Sequence, residues 1–385
     1  MYSNFRKARL IRILASSFLL IIAAIGLIIW LWPNPPPPFT ESLTNTTPAG
    51  IELTQLTSNH VKKQDIVWSP DGKYVAYVKW YDPEIFLIDV GNQTESQLTH
   101  WNGWNTGGFG LLDYSYDGSS LFLGTNGGLW AQSIYGGMPQ SLIPSTSAPW
   151  GNGWVEGYDA KFSMDKCAFF AGTYPAELYV IDMDDGNPKL LAGELEDGLY
   201  ATLDLSPDGS QVVYSAGIMG QSEPGFPNKP LQNMWVINTD GTNRTLISED
   251  PGDNLRWSPD GNKIAFLRDG KLWQINPDGT GEDSLTTQGG SICRFEWSPD
   301  GTKIAYWSMN SEQYACPSLW VMDMTSQVQE CVLDLKNTGV SAESWRGVTW
   351  SPDSRNMAFI LSVTWQSDIS STSEELCDAS SFLSS

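Results

Sequence analysis

From about residue 50 onward, apolar residues fall in short runs broken by Pro, Gly, Asp and Asn, the pattern of β-strands joined by tight turns. Several runs follow one recurring phrase. It reads Trp68-Ser-Pro-Asp-Gly72, Tyr114-Ser-Tyr-Asp-Gly118, Phe162-Ser-Met-Asp-Lys166, Leu205-Ser-Pro-Asp-Gly209, Trp257-Ser-Pro-Asp-Gly261, Trp297-Ser-Pro-Asp-Gly301 and Trp350-Ser-Pro-Asp-Ser354. The third residues fall at positions 70, 116, 164, 207, 259, 299 and 352, so successive copies lie 40 to 53 residues apart. A period of that length is one four-stranded sheet.

Within the phrase, proline presets the φ of a turn, aspartate can bond turn amides, and glycine accepts the positive φ that closes a hairpin. A strand ending in an aromatic residue or Leu precedes the phrase. Tyr74-Val-Ala-Tyr77, Lys263-Ile-Ala-Phe266 and Lys303-Ile-Ala-Tyr306 are second strands after it. Third strands recur as Ile85-Phe-Leu-Ile-Asp89, Leu178-Tyr-Val-Ile-Asp182, Met234-Trp-Val-Ile-Asn238, Leu272-Trp-Gln-Ile-Asn276 and Leu319-Trp-Val-Met-Asp323. Fourth strands end like Gln97-Leu-Thr99, a signature also present before the first copy, at Gln55-Leu-Thr57. The last repeat has chain for only three strands. The expected fold is therefore an all-β, seven-bladed β-propeller, in preference to six or eight blades, closed by the N-terminal strand and preceded by one transmembrane helix.

Trp-Ser-Pro-Asp-Gly, then Lys-Ile-Ala, then Leu-Trp-Val-Met-Asp resembles the repeat of the TolB-like β-propellers, which are WD-repeat-like and related to the propeller domains of prolyl oligopeptidase and dipeptidyl peptidase IV. The likeness covers residues 50–385 and is weaker at Tyr114 to Gly118 and Phe162 to Lys166. It implies a propeller and an envelope-binding role rather than an activity.

The first 49 residues are unlike the rest. Arg6, Lys7, Arg9 and Arg12 precede an uncharged, apolar stretch from Ile13 to Trp32, long enough as a helix to cross a bilayer core. We read residues 1–12 as a basic cytoplasmic tail, 13–32 as a transmembrane signal anchor, 33–49 as a Pro-rich linker and 50–385 as the propeller. Positive charge on the N-terminal side places the propeller outside the cytoplasm, in the periplasm or at the cell surface.

Without those four basic residues, 18 Lys+Arg face 44 Asp+Glu, a net charge of −26. That excludes a nucleic-acid partner, since phosphate demands the opposite sign. Of the five cysteines, Cys316 and Cys331 flank a third strand closely enough for a bridge, and the remaining connectivity is open. No Cys-x-x-Cys pair or Cys/His cluster points to a metal, and the two histidines are His60 and His100.

The residue before each first-strand aromatic reads Val67, Asp113, Lys161, Asp204, Arg256, Glu296 and Thr349. Five consecutive repeats alternate in sign, which predicts a structural ring of inter-blade ion pairs around the axis. Eight tryptophans belong to neither first nor third strands: Trp80, Trp101, Trp104, Trp150, Trp154, Trp307, Trp345 and Trp365. All map to loops of one face, where they either contact a ligand or fold inward as a plug. Asp65, Asp159, Asn254 and Arg294 start first strands at the mouth of the expected channel.

No Gly-x-Ser-x-Gly elbow, His-Glu-x-x-His, phosphate loop or dinucleotide fingerprint occurs, and no cofactor is expected. The leading reading is a membrane-anchored envelope module that binds a protein, peptide or glycan. Two alternatives stand beside it. One is a channel-mouth hydrolase or lyase using Asp65 and Asp159, with calcium as its cation. The other is a structural member of an envelope complex.

Overall fold

In the computed structural model of the chain, the described residues are 51–57, 63–79, 84–100, 109–125, 128–144, 154–155, 160–163, 165–172, 176–183, 186–195, 202–223, 226–249, 252–286, 291–309, 318–335, 340–342, 348–363 and 377–384. All belong to one compact unit spanning Asn45–Ser385. Among them the strands form seven antiparallel sheets of four or five strands. The first is representative, running Lys63–Trp68, Tyr74–Lys79, Ile85–Asp89 and Thr94–Gln97 in spatial order. The last joins both ends of the array. Glu52–Gln55 pairs with Cys377–Ser384, with Leu53 opposite Leu383, and Cys377–Ser384 pairs in turn with Asn356–Val363. The all-β propeller expected from the repeats is what the chain forms.

The repeated phrase works as its chemistry dictates. Ser69 Oγ donates to Asp71 Oδ1 at 2.7 Å, the same carboxylate accepts the Lys73 amide at 3.1 Å, and the Gly72 amide donates to Ser69 O at 2.9 Å. Gly72 holds φ +72°, a region that costs other residues strain. The same Ser–Asp bond recurs at Ser115–Asp117, Ser206–Asp208, Ser258–Asp260, Ser298–Asp300 and Ser351–Asp353. These bonds favour the ionised carboxyl. The Lys73 ammonium, then the Ser69 hydroxyl, hold Asp71 down to about 2, and Ser115 and Ser119 hold Asp117 there too.

Where the phrase is worn, the turn is tied to its neighbour instead. Ser163 Oγ donates to the carbonyls of Ser206 and Pro207 in the next sheet, at 2.8 and 2.9 Å. Ser354 replaces glycine at φ +60°, and its hydroxyl accepts the Asp300 amide of the preceding sheet at 3.1 Å. Turns therefore touch around the ring. A Cβ on Gly72 would lie 3.7 Å from the Pro352 ring, one on Gly118 3.4 Å from Pro70, and one on Gly301 3.7 Å from Pro259.

Apolar layers fill the space between consecutive sheets. Ala168, Phe170 and Val180 meet Leu203, Val212 and Tyr214; Val213 and Val236 meet Trp257 and Phe266; Ala265 and Leu267 meet Phe295 and Trp297. Val75 and Tyr77 of the first sheet meet Ala358 and Ile360 of the last, which completes the circuit. Between the sixth and seventh sheets Trp307 stands edge-on to Phe359, ring centres 5.6 Å apart, with 2% of its surface exposed. This corrects the expectation for Trp307. It lies in the Lys303–Met309 strand, in the seam between two sheets and not on a loop that faces a ligand.

The cysteines also depart from expectation. Neither Cys331 nor the buried Cys167 is disulfide-bonded, whereas Cys293 is. A Cys316–Cys331 bridge is thereby ruled out, because cross-strand proximity in sequence did not fix which side chains share a face. The expected tail, anchor and linker lie outside the described residues. Among the described residues no helix is long and apolar enough to cross a membrane.

Candidate functional site: the axial channel

The innermost strand of each sheet contacts the innermost strand of the next, so these strands line the axis. Their alternate residues are Val67, Asp113, Lys161, Asp204, Arg256, Glu296 and Thr349. Asp113 feels not only Lys161 beside it but also Glu296, four sheets further round, and Lys161 feels Arg256, Arg294 and Glu296. Influence at that sheet separation runs through a shared space, and the axis is that space.

Two contacts knit one side of the ring. Arg256 Nε lies 3.5 Å from Glu296 Oε2, with the arginine side chain 10% and the glutamate 38% exposed. Arg256 also donates from Nη1 to Leu255 O at 2.8 Å. Asp204 Oδ2 accepts the Trp257 amide at 2.7 Å, a bond from one sheet to the next. The other side is looser. Asp113 accepts only the amide of Tyr114, its own neighbour, at 2.7 Å, and no hydrogen bond or ion pair among the described residues engages the Lys161 ammonium.

Both groups respond to enclosure. Asp113 reaches channel water yet is surrounded by protein, which pushes its carboxyl from 3.8 up to about 6; Lys161 pulls it back down, while Glu296 and Asp204 add to the rise. Lys161 is pushed from 10.5 down to about 8, first by enclosure and then by Arg256 and Arg294, against the opposing pull of Asp204 and Glu296. Enclosure likewise raises Asp204, with Arg256 and Lys161 opposing. A carboxyl and an amine perturbed toward neutrality in one channel are the usual companions of a ligand site.

Of the residues expected at the channel mouth, Asp65 and Asn254 occupy β-bulges, at φ 46° and 54°. The first-strand register also shifts between Ile292 and Arg294, and Lys161 feels the charge of Arg294. Asp159 lies outside the described residues, as do Trp80, Trp101, Trp104, Trp150, Trp345 and Trp365. The backbone of Trp154 pairs with Gly172 in a two-residue strand. The expected ring of inter-blade ion pairs does not form as such: among the described residues Arg256–Glu296 is an ion pair, whereas Asp113–Lys161, Lys161–Asp204 and Asp204–Arg256 are not, because which charges meet depends on the aim of each inner strand and not on the order of signs. The signal available was that the charged run ends at Asp113, beside the uncharged Val67.

Among the described residues no group of three or more His, Cys, Asp or Glu could hold a metal, and His100 is an exposed loop residue.

No known family profile matches the chain. An uncharacterized protein of Agrobacterium fabrum is 27% identical over 168 residues, 38% of this chain. A protein of Streptomyces coelicolor named as a tricorn protease homolog is 35% identical over 71 residues, 18% of this chain. The chain spans about half the length of the first curated relative, 52%, and 6% of the second. An oligogalacturonate lyase structure in complex with manganese superposes with TM-score 0.65 at 17% identity, covering 88% of this chain and 94% of the lyase. Oligogalacturonate lyase from Vibrio parahaemolyticus gives 0.62 at 15% identity, covering 87% and 94%. TolB from Acinetobacter baumannii aligns over 84% of this chain and 79% of its own at 14% identity, TM-score 0.45. By architecture, the chain is a β-propeller whose repeats resemble those of the TolB-like family.

Proposed function

We propose that the protein is a membrane-anchored, extracytoplasmic seven-bladed propeller that binds a polar ligand of the cell envelope, a protein, peptide or glycan, at the mouth of its axial channel. The carrying observation is the Asp113–Lys161 sector. Both charges are enclosed by protein at a free-energy cost, neither is paired within the ring, and water reaches Asp113. The basic segment before Ile13–Trp32 supports the anchor and its orientation. The tryptophans Trp101, Trp104, Trp150 and Trp154 are proposed to frame the same mouth.

The test compares the full-length protein with its Asp113→Asn and Lys161→Met variants, after each is shown to fold, in affinity capture from envelope extracts. A specific partner held by the wild type and weakened about tenfold or more by either variant supports the reading, since one lost charge-assisted bond is worth that much. Equal retention by all three overturns it.

A catalytic alternative rests on the superposition with oligogalacturonate lyase over nearly the whole of both chains. A likeness at 17% identity carries the fold alone, and the lyase complex holds manganese where this chain brings together no metal-binding set among its described residues. Unsaturated uronate released from oligogalacturonate by the purified full-length protein, and absent with Asp113→Asn, would favour this alternative over pure binding.

A further inference from the structure

The second sheet runs Phe109–Tyr114, Ser120–Thr125, Gly128–Ser133 and Gln140–Pro144, and both of its tight turns carry apolar side chains into solvent. Tyr116, in the turn between its first two strands, is 77% exposed; Tyr135 and Met138, between its last two, are 85% and 75% exposed. The other large apolar residues exposed among the described residues, Leu190, Leu246 and Val328, belong to three different sheets. Scattered residues of that kind are ordinary, whereas a cluster marks a contact surface. Elsewhere the repeats keep these turns polar or proline-bound. Pro70, Pro207, Pro259, Pro299 and Pro352 hold the place of Tyr116, and Val90-Gly-Asn-Gln93, Thr239-Asp-Gly-Thr242 and Pro277-Asp-Gly-Thr280 stand where this sheet has Ile134-Tyr-Gly-Gly-Met138.

The two turns form one braced frame. The Ile134 amide donates to Ser119 O at 3.0 Å, which ties the second turn to the first. Asp117 accepts Ser115 Oγ at 2.7 Å and Ser119 Oγ at 2.8 Å, and the fully buried Gln132 donates from Nε2 to Ser133 O at 3.0 Å and Gly137 O at 3.3 Å. Gly136 and Gly137, at φ +91° and +94°, leave no side chain between Tyr135 and Met138, and a Cβ on either would meet no atom within 4 Å. Two phenol rings and a thioether are thus presented on a preorganised support, so little order remains to be lost on binding.

Charge selects the partner. Asp117 is exposed directly beside Tyr116, and a Cβ on Gly118 would lie 3.4 Å from Pro70, which brings the first sheet's turn and its Asp71 alongside. Outside the basic N-terminal segment the chain has 18 Lys+Arg against 44 Asp+Glu, so an anionic ligand is repelled. Aromatic faces next to a carboxylate suit a cation carried on an apolar stem. We propose that Tyr116, Tyr135 and Met138 are a docking surface for a segment of a partner protein in which arginine or lysine alternates with apolar residues. The cation lies over a tyrosine ring near Asp117, and the apolar side chains cover Met138. First strands start at the channel mouth and end at these turns, so the surface is on the opposite face and stands independently of the channel reading.

The test titrates the full-length protein, labelled at its methionine methyl groups, with a synthetic peptide of alternating leucine and arginine and with its glutamate and glutamine counterparts. The nuclear magnetic resonance signal of Met138, assigned through Met138→Leu, is the readout, and the buried Met234 is the reference. Met138 should shift saturably, at least about tenfold more tightly with the arginine peptide than with either counterpart, while Met234 stays still. Tyr116→Pro, which restores the residue five other repeats use, and Tyr135→Ser should each weaken that affinity by about threefold or more with an unchanged urea midpoint. An unmoved Met138, equal affinity for the three peptides, or full affinity in both variants overturns the proposal. So does a Met138 shift that the arginine peptide fails to produce but that follows protein concentration alone, phosphatidylcholine vesicles or cellotetraose, which would assign the surface to a second copy, a membrane or a glycan.

Discussion

At pH 7 Asp113 is ionised within a ring of protein that holds its carboxyl near 6, so the folded chain takes up this proton more readily than the unfolded chain, where the group sits near 3.8. The stabilisation that protonation brings is fully present below about 3.8 and is lost as pH rises through about 6. Asp113→Asn removes the charge and should raise stability at pH 7 by about 1 kcal/mol, a figure discounted because channel water screens an exposed carboxylate. Urea unfolding at pH 7 and at pH 4.5 checks it: the gain belongs to pH 7 and should largely vanish at the lower pH. An equal gain at both would remove electrostatics as the cause. Trp307 makes the opposite kind of contribution. Buried against Phe359, it fills the seam between the sixth and seventh sheets, and Trp307→Ala should cost about 3–5 kcal/mol in the same measurement. A loss under about 1 kcal/mol would mean that the indole is not packed there.

At the scale of one hairpin, the carboxylate is the organising group. Asp260 accepts from Ser258 Oγ at 2.6 Å, the Asn262 amide at 3.1 Å and Asn262 Nδ2 at 2.8 Å. Asp260→Ala should therefore cost about 1–2 kcal/mol while leaving the sheet assembled, because it orphans turn donors that water can partly satisfy. The turn carboxyls also fix the acid limb. Those of Asp71 and Asp117 are held near 2, so their contribution is present above about 3.8 and lost as pH falls toward 2. These hairpins were legible in the sequence because every force that shapes them acts within five residues. Trp68, Trp257, Trp297 and Trp350 were legible for the same reason, being buried at a fixed offset before each turn. Trp307 was not, since its burial depends on Phe359, some fifty residues away in another sheet. Nor was the vacancy at Asp113 and Lys161: sequence order gave the alternation of sign, but which charges meet depends on the aim of each inner strand, and bulges such as those at Asp65 and Asn254 alter it.

For the whole molecule, the consequence of closure is that no sheet is terminal. An open array of repeats can fray from its ends, each unit leaning on one neighbour. Here the last sheet is built from both ends of the array, and Leu56 beside the N-terminal strand packs with Ile66, Trp68, Ala358 and Ile360. The seal is four residue pairs long, from Glu52 opposite Ser384 to Gln55 opposite Ser381. Proline at its centre removes a backbone donor and the φ freedom a paired strand needs. Leu53→Pro should cost about 3 kcal/mol. Because each sheet shares its apolar layers with two others, that loss should lower one common transition instead of releasing a single sheet. Urea unfolding followed by tryptophan fluorescence, which samples Trp68 and Trp350 beside the closure as well as Trp257 and Trp297 in the middle sheets, and by far-ultraviolet circular dichroism, which samples all the sheets, should give coincident curves displaced together. If fluorescence kept its wild-type midpoint while the dichroism lost part of its amplitude early, the sheets would be leaning on their sequence neighbours alone, and the pairing of the two chain ends would be an ornament on an open array.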